Sequence, residues 1–190
     1  ERRKNFAACK SKDIAIFYIA ANGVVDGDGQ PGLLSSEKKI NRIDELLSQI
    51  QAISGSTKLV FVDAGQVSED FLNGQSVNEF PFAMHRLLTA KSGDENTYGE
   101  NLWVIVSHGL FQSSRLSHTR RGSVFGVSVA DSLIDFRQNG DPDKPIKLGQ
   151  LYQSICQRCA AMTMEGDRPT QMPLLMRGGH GIVFYSDLKD

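Results

Sequence analysis

Three apolar runs of strand length constrain the fold of this chain more than any other feature. They cover residues 14–21, 58–62 and 102–106. Each run is almost continuously apolar, which is typical of strands that are covered on both faces in a parallel sheet. Amphipathic segments separate the runs, and this alternation of strands and helices predicts an α/β layer fold.

Four amphipathic segments are predicted to be helices. The first is expected to open at Ser35, Ser36 and Glu37, because isoleucine and leucine then recur at a three-to-four residue spacing as far as Ile53. The second contains Pro81, which a helix tolerates in its first turn. The second helix is predicted over residues 78–90, the third over 123–136 and the fourth over 148–164. Residues 182–185 can form a last strand.

Composition limits the classes of function. The chain has 190 residues, of which 40% are hydrophobic and 23% are charged, and a formal net charge of -1. This predicts one globular domain over residues 1–190 and gives no basic face for nucleic acid. No apolar run approaches the roughly 18 residues of a membrane-spanning helix. Three cysteines form no disulfide framework and fit a reducing compartment, so the protein is expected to be cytoplasmic, with no membrane partner.

Two of the strands are predicted to end in glycine turns. The first run continues into Asn22 and Gly23, and the second continues through Asp63 and Ala64 to Gly65. These turns resemble the two catalytic loops of caspase-type cysteine peptidases, where one strand ends at a histidine base and the next at a cysteine nucleophile. Asn22 stands at the histidine position and Gly65 at the cysteine position.

An amide cannot take a proton from a thiol near neutral pH, and glycine has no side chain that could attack a carbonyl. The resemblance therefore implies a pseudo-peptidase with a degenerate catalytic dyad at Asn22 and Gly65. In the family, backbone amides at these turns form the oxyanion hole, which implies the same place for the amides of Gly23 and Gly65.

Further motifs occur in the order found in bacterial members of the caspase family. They are the acidic and glycine-rich run 26–30, the serine-rich loop 107–114, the Gly-Ser-Val-Phe segment 122–125 and the Gln-Met-Pro-Leu segment 171–174. The similarity thus extends over residues 13–174 and implies a caspase-like three-layer sandwich, in which an open, mostly parallel sheet has helices on both faces. The family's first strand, helix and second strand have no counterpart, so this chain is expected to be a carboxy-terminal portion of such a domain, with its amino-terminal strands missing.

Five more residues are candidates for the cleft between these loops: Asp63, His108, Gln112, Ser114 and Arg115. Arg115 could contact an anionic group or be a solvated loop residue. His108 could replace the missing base, but a base has no use without a nucleophile within reach, which favours a structural role.

Other motifs have simpler interpretations. Cys156 and Cys159 have the spacing of a disulfide oxidoreductase motif, but they lie inside a predicted helix, which favours two buried thiols. Asp26 and Asp28 lack the later glutamate of a calcium loop, which favours a tight turn. The glycine-rich stretch 23–32 lacks the lysine of a loop that binds nucleotide triphosphates. We expect neither a metal nor a cofactor.

These residues lead to a function that is expected to be non-catalytic. The chain is predicted to act as a binding or regulatory module, which holds a protein or peptide partner in its cleft or forms a homo- or heterodimer through the sheet edge. An alternative is a caspase-family cysteine endopeptidase whose histidine and cysteine are altered in this chain. A catalytic site assembled from other residues is a third possibility.

Overall fold

The computed structural model describes residues 13–53, 57–66, 79–110, 112–141, 144–165, 168–184 and 188. Asn78 and Tyr185, at the ends of two predicted elements, lie outside these residues. The strands are β1 Ile14–Val25, β2 Pro31–Leu34, β3 Ile40–Arg42, β4 Thr57–Gln66, β5 Lys91–Ser92, β6 Glu95–Asn96, β7 Leu102–Val106, β8 Met164–Glu165, β9 Arg168–Pro169, β10 Leu174–Arg177 and β11 Gly181–Ile182. The helices are α1 Ile43–Gln51, α2 Phe80–Thr89, α3 Val124–Asn139 and α4 Leu148–Met162.

Seven strands form one sheet in the order β11-β10-β7-β4-β1-β2-β3. Strands β1, β4 and β7 are parallel, and the other neighbouring pairs are antiparallel. The predicted α/β class is confirmed, but the sheet is mixed and strongly curled into a half-barrel, so the prediction of a mostly parallel sheet is wrong. The reason is that short connections join β1 to β2, β2 to β3 and β10 to β11, and short connections permit only antiparallel pairing.

Helices cover both faces of the sheet, as predicted. Helices α1 and α2 pack on one face against the side chains of Val60, Val62 and Val104. Helices α3 and α4 pack on the other face against Leu59 and Phe61. Adjacent residues of β4 therefore face opposite layers, which is why this strand is apolar almost throughout.

Neither predicted glycine turn is a turn. Strand β1 continues through Asn22 and Gly23 to Val25, and β4 continues through Gly65. The reason is that both strands have partners at these positions, since β1 pairs with β2 on one side and with β4 on the other. The two glycine segments therefore lie side by side as extended strands.

The predicted helices agree with the structure to within three residues at their described ends, except at the start of α1, and Met164, which was predicted to end the fourth helix, lies in β8. Residues 40–42 form β3, which pairs with β2, and α1 begins only at Ile43. Ser35 accepts a hydrogen bond from the backbone of Lys39 in the hairpin that joins β2 and β3, and it does not cap a helix. Ser123 is the N-cap of α3, where its side chain accepts from the amide of Gly126. Among the described residues, no helix combines the length and apolar character that crossing a membrane requires.

Candidate functional site

A cleft of about 750 Å³ lies where the parallel strands β1 and β4 reach their carboxyl ends. This end of adjacent parallel strands is the usual place for ligand sites in α/β proteins. The lining residues are Ala20, Ala21, Asn22, Leu34, Ser35, Ser36, Asp63, Gly65, Ser114, Arg115, Leu116 and Ser123. Five residues that the sequence predicts for the site line this cleft, namely Asn22, Asp63, Gly65, Ser114 and Arg115. Gly23, His108 and Gln112 do not line it.

Asn22 and Gly65 are direct neighbours in this cleft. They are register partners on the parallel strands β1 and β4, and Asn22 is exposed. A Cβ atom built on Gly65 would lie 3.1 Å from Oδ1 of Asn22. The caspase resemblance assigns the base to the first of these positions and the nucleophile to the second, and the structure places the two side by side. The first position carries an amide side chain, and the second carries no side chain.

Asp63 forms the acidic floor of the cleft. Its side chain is 5% exposed. Its carboxylate accepts hydrogen bonds from the Tyr18 hydroxyl at 2.6 Å and the Ser114 hydroxyl at 3.3 Å, and also from the Ser123 hydroxyl. Within the part of the chain that the structure describes, no lysine or arginine forms an ion pair with Asp63. Three hydroxyl donors hold this carboxylate in place.

Sequence analysis did not single out Tyr18 or Ser123 as site residues. Burial and the neighbouring Asp63 carboxylate raise the pKa of Tyr18 above its usual value, so the hydroxyl remains a donor to Asp63. In the sequence, the tyrosine interrupts an otherwise apolar strand and the serine directly precedes a helix, and these two features could have indicated site residues. Ser123 combines two roles, because its oxygen caps α3 while its hydrogen is donated to Asp63.

Gly23 is buried beneath the cleft. A Cβ atom at this position would lie 2.8 Å from Cβ of Ala64 and 3.0 Å from the ring of Phe80. Because real Cβ atoms do not approach so closely, only glycine fits between these neighbours without a shift of one of them. This packing explains the glycine without reference to an oxyanion hole, and that role of Gly23 and Gly65 stays a prediction.

His108 is buried under the sheet end and does not line the cleft. It is fully buried, and its Nδ1 lies 2.9 Å from the Ser107 hydroxyl. That hydroxyl accepts a hydrogen bond from the backbone amide of Ala64 at 3.2 Å, so its own hydrogen is available to the imidazole. Burial lowers the pKa of His108 to about 4. A neutral imidazole in this place has no route to a substrate and supports the strand end.

Two glutamines hold the loop after β7 in place. Oε1 of Gln112 accepts from the amides of Gly109 at 3.1 Å and Met172 at 2.7 Å. The buried Gln171 donates to the carbonyl of Ser107 at 2.8 Å and accepts from the amide of Arg115 at 2.8 Å. Gln112 is therefore a positioning residue of the loop and does not reach the cleft.

Arg115 reaches the cleft from this loop. Its backbone is fixed twice, since its amide donates to Gln171 and its carbonyl accepts from Val124. Its side chain lines the cleft and is exposed. A fixed backbone with an exposed guanidinium gives the rim of the cleft a positive charge above the acidic floor.

The remaining motifs have structural roles. Asp26 accepts hydrogen bonds from the amides of Asp28 and Gln30, so the acidic run forms the tight turn between β1 and β2. Cys156 and Cys159 are buried free thiols on α4, as predicted, and burial raises their pKa values to about 11 and about 12. Among the described residues, no group of three or more histidine, cysteine, aspartate or glutamate side chains could hold a metal ion.

The fold is similar to that of a solved structure. The crystal structure of protein GSU0716 from Geobacter sulfurreducens matches with a TM-score of 0.54 at 16% sequence identity. The match covers 98% of this chain and 73% of that chain. No protein-family model matches the chain, and no curated protein matches it either. At this identity, the likeness concerns the fold alone.

Proposed function

We propose that this chain is a catalytically inactive, caspase-like pseudo-peptidase that holds a peptide segment in the cleft at the ends of β1 and β4. The observation that carries the proposal is the pairing of Asn22 with Gly65 in one cleft. Histidine and cysteine are both absent from the described lining of this cleft. Covalent peptidase chemistry requires a nucleophile next to a base, so binding is the function that this arrangement favours.

The chemistry of the cleft is suited to a peptide. The buried Asp63 carboxylate can accept hydrogen bonds from an amide or a cationic side chain, and the exposed Arg115 guanidinium can donate to a carbonyl or a carboxylate. The Asp63 carboxylate is fixed before a ligand arrives by three hydroxyls, and the backbone from which the Arg115 side chain extends is fixed by two hydrogen bonds. Preorganisation of this kind lowers the entropic cost of binding.

Three observations bear on the other possibilities. A serine nucleophile would need a base beside it, and the described lining of the cleft contains no histidine, while the hydroxyls of Ser114 and Ser123 already donate to Asp63. Pairing through a sheet edge would use β3 or β11, which are three and two residues long and offer few backbone bonds. The two free thiols on α4 support a reducing compartment, which we propose is the cytoplasm.

Affinity selection from a peptide library tests the proposal. The unmodified protein should enrich a defined set of peptides and leave them uncut. Asp63→Asn and Arg115→Ala should each weaken binding of the selected peptides by about tenfold or more, since each removes a charged hydrogen-bonding group from the site. The matched control is Asp28→Asn in the exposed turn, which should bind as before. Failure to enrich any peptide, or equal binding by all three variants, would contradict a peptide-binding cleft.

A further inference from the structure

A second surface of the molecule is apolar and adjoins the cleft, with which it shares Ala20, Asp63 and Ser123. Ile14, Ile16 and Tyr18 of β1 point to the same face of the sheet and are 60%, 52% and 47% exposed. They face Ala130 and Leu133 of α3 across a groove. We call this surface the β1–α3 groove. Monomeric proteins seldom expose several large apolar side chains in one row, and such rows mark interaction sites.

The layer of helices on this face stops short of β1. The core between the sheet and helices α3 and α4 is formed by β4, β7 and β10, and it contains no residue of β1. Neighbouring helices lie about 8–10 Å apart and neighbouring strands about 4.8 Å apart, so one more helix beside α3 would cover β1. The row from Ile14 to Ala20 is roughly 20 Å long, which is the length of a helix of about 13 residues.

The end of the groove that adjoins the cleft contains the buried Asp63 carboxylate, which hydroxyl groups hold, and two exposed arginines. Arg120 and Arg121 line it next to Gly122. Arg120 forms an ion pair with Asp131 of α3. The exposed Arg121 has no carboxylate within ion-pair distance among the described residues. An occupant with acidic residues at this end would complement the unpaired charge.

We propose that the β1–α3 groove binds an amphipathic helix of another polypeptide, with acidic residues at the end that meets Arg121. A second copy of this chain is a poorer occupant, because each described helix already buries its main apolar face in the core and exposes at most single large apolar side chains. The docked helix presents leucine-like anchors at a three-to-four residue spacing to Ile14, Ile16 and Tyr18. The groove adjoins the peptide cleft, but Ile16, Arg121 and Ala130 line the groove and not the cleft, so variants at these residues test the groove separately.

A designed peptide of about 14 residues tests the groove. It carries leucines on one helical face and two glutamates at one end, and a comparison peptide carries lysines in place of the glutamates. Fluorescence anisotropy should show saturable binding of the glutamate peptide, at least about tenfold tighter than that of the lysine peptide. Arg121→Glu should reverse this preference. Absence of saturable binding, or equal affinity for both peptides, overturns the proposal.

Two substitutions locate the bound peptide. Ile16→Ser removes an apolar contact and Ala130→Glu places a charge on the α3 side of the groove, and each should weaken binding by about tenfold or more. Both residues are exposed, so the fold should persist, which near-ultraviolet circular dichroism checks. The matched control is Phe82→Ser on α2, where the phenylalanine is 51% exposed on the opposite face. An equal loss in this control would also overturn the proposal.

Discussion

The side-chain amide oxygen of Asn22 lies 3.1 Å from the point that a Cβ atom on Gly65 would occupy. The two residues depend on each other, because the missing side chain at residue 65 leaves room for the amide. A thiol at residue 65 would require Asn22 to shift by a few tenths of an ångström. Attempts to restore a catalytic pair should therefore change both residues together.

Gly23→Ala should destabilise the protein. The added methyl group would lie 2.8 Å from Cβ of Ala64 and 3.0 Å from the Phe80 ring in a buried site. Overpacking of this kind costs about 1–3 kcal/mol in free energy of unfolding, which urea denaturation measures. Gly27→Ala is the matched control, since nothing lies within 4 Å of a Cβ atom there. Similar stability of the two variants would show that Gly23 is not tightly packed.

His108 should make folding stability depend on pH. The unfolded chain binds a proton at this residue below about pH 6.5, whereas the folded chain does so only near pH 4 because burial lowers the pKa of His108 to about 4. The contribution of neutral His108 to the free energy of unfolding is therefore fully present above about pH 6.5 and is lost as the pH falls toward 4. The loss amounts to up to about 3 kcal/mol.

Urea denaturation over this pH range tests the effect. His108→Gln should flatten the loss of unfolding free energy between about pH 6.5 and pH 4. The control His118→Gln, in an exposed loop, should retain the slope of the unmodified protein. A slope that is unchanged in His108→Gln would show that His108 does not titrate as a buried neutral group.

The thiols of Cys156 and Cys159 should react slowly in the folded protein. Their pKa values of about 11 and about 12 leave little thiolate near neutral pH. In a Cys9→Ser background, alkylation near pH 8 should be at least about 100-fold slower than that of a cysteine placed at the exposed Ser36, and should become fast in denaturant. Rapid alkylation, or a Cys156–Cys159 disulfide after mild oxidation, would restore the redox interpretation.

Gln171→Met should loosen the loop that carries Arg115. The change keeps the volume of the side chain but leaves the Ser107 carbonyl and the Arg115 amide without their partner. An unsatisfied buried polar group costs about 1–3 kcal/mol, which should appear as a loss of unfolding free energy. The control Gln49→Met, on the exposed side of α1, should change stability by less than about 0.5 kcal/mol. Equal losses of unfolding free energy in the two variants would show that Gln171 does not support the loop.

The sequence predicts the parts of the fold that local pattern determines. Helix α3 begins after Ser123 and helix α4 after Lys147, close to the predicted positions, because the Ser123 cap and the apolar spacing of both helices act within each segment. Ile40 was assigned to a helix by the same spacing but pairs with Leu34 in a hairpin. That contact lies between strands, and a periodicity rule does not include it.

The site was predicted in part for a similar reason. Asn22 and Gly65 follow two apolar runs, so their proximity follows from the parallel pairing of those runs. Tyr18 and Ser123 were missed because they come from different elements and meet at Asp63 only through tertiary packing. His108 and Gln112 were included for their chemistry, and burial or loop contacts keep them out of the cleft lining.

Peptide-library cleavage, read by mass spectrometry, tests whether this chain is an inactive peptidase. It compares the unmodified protein with Asn22→His/Gly65→Cys and with the control Asn22→His/Gly65→Ala, which adds the same Cβ atom at residue 65 without a thiol. The account predicts that the unmodified protein and the control leave every peptide intact, and that any cleavage appears only when the thiol and imidazole are both present. Cleavage by the unmodified protein, at a rate that stays constant during purification to homogeneity, would contradict the proposal of an inactive peptidase.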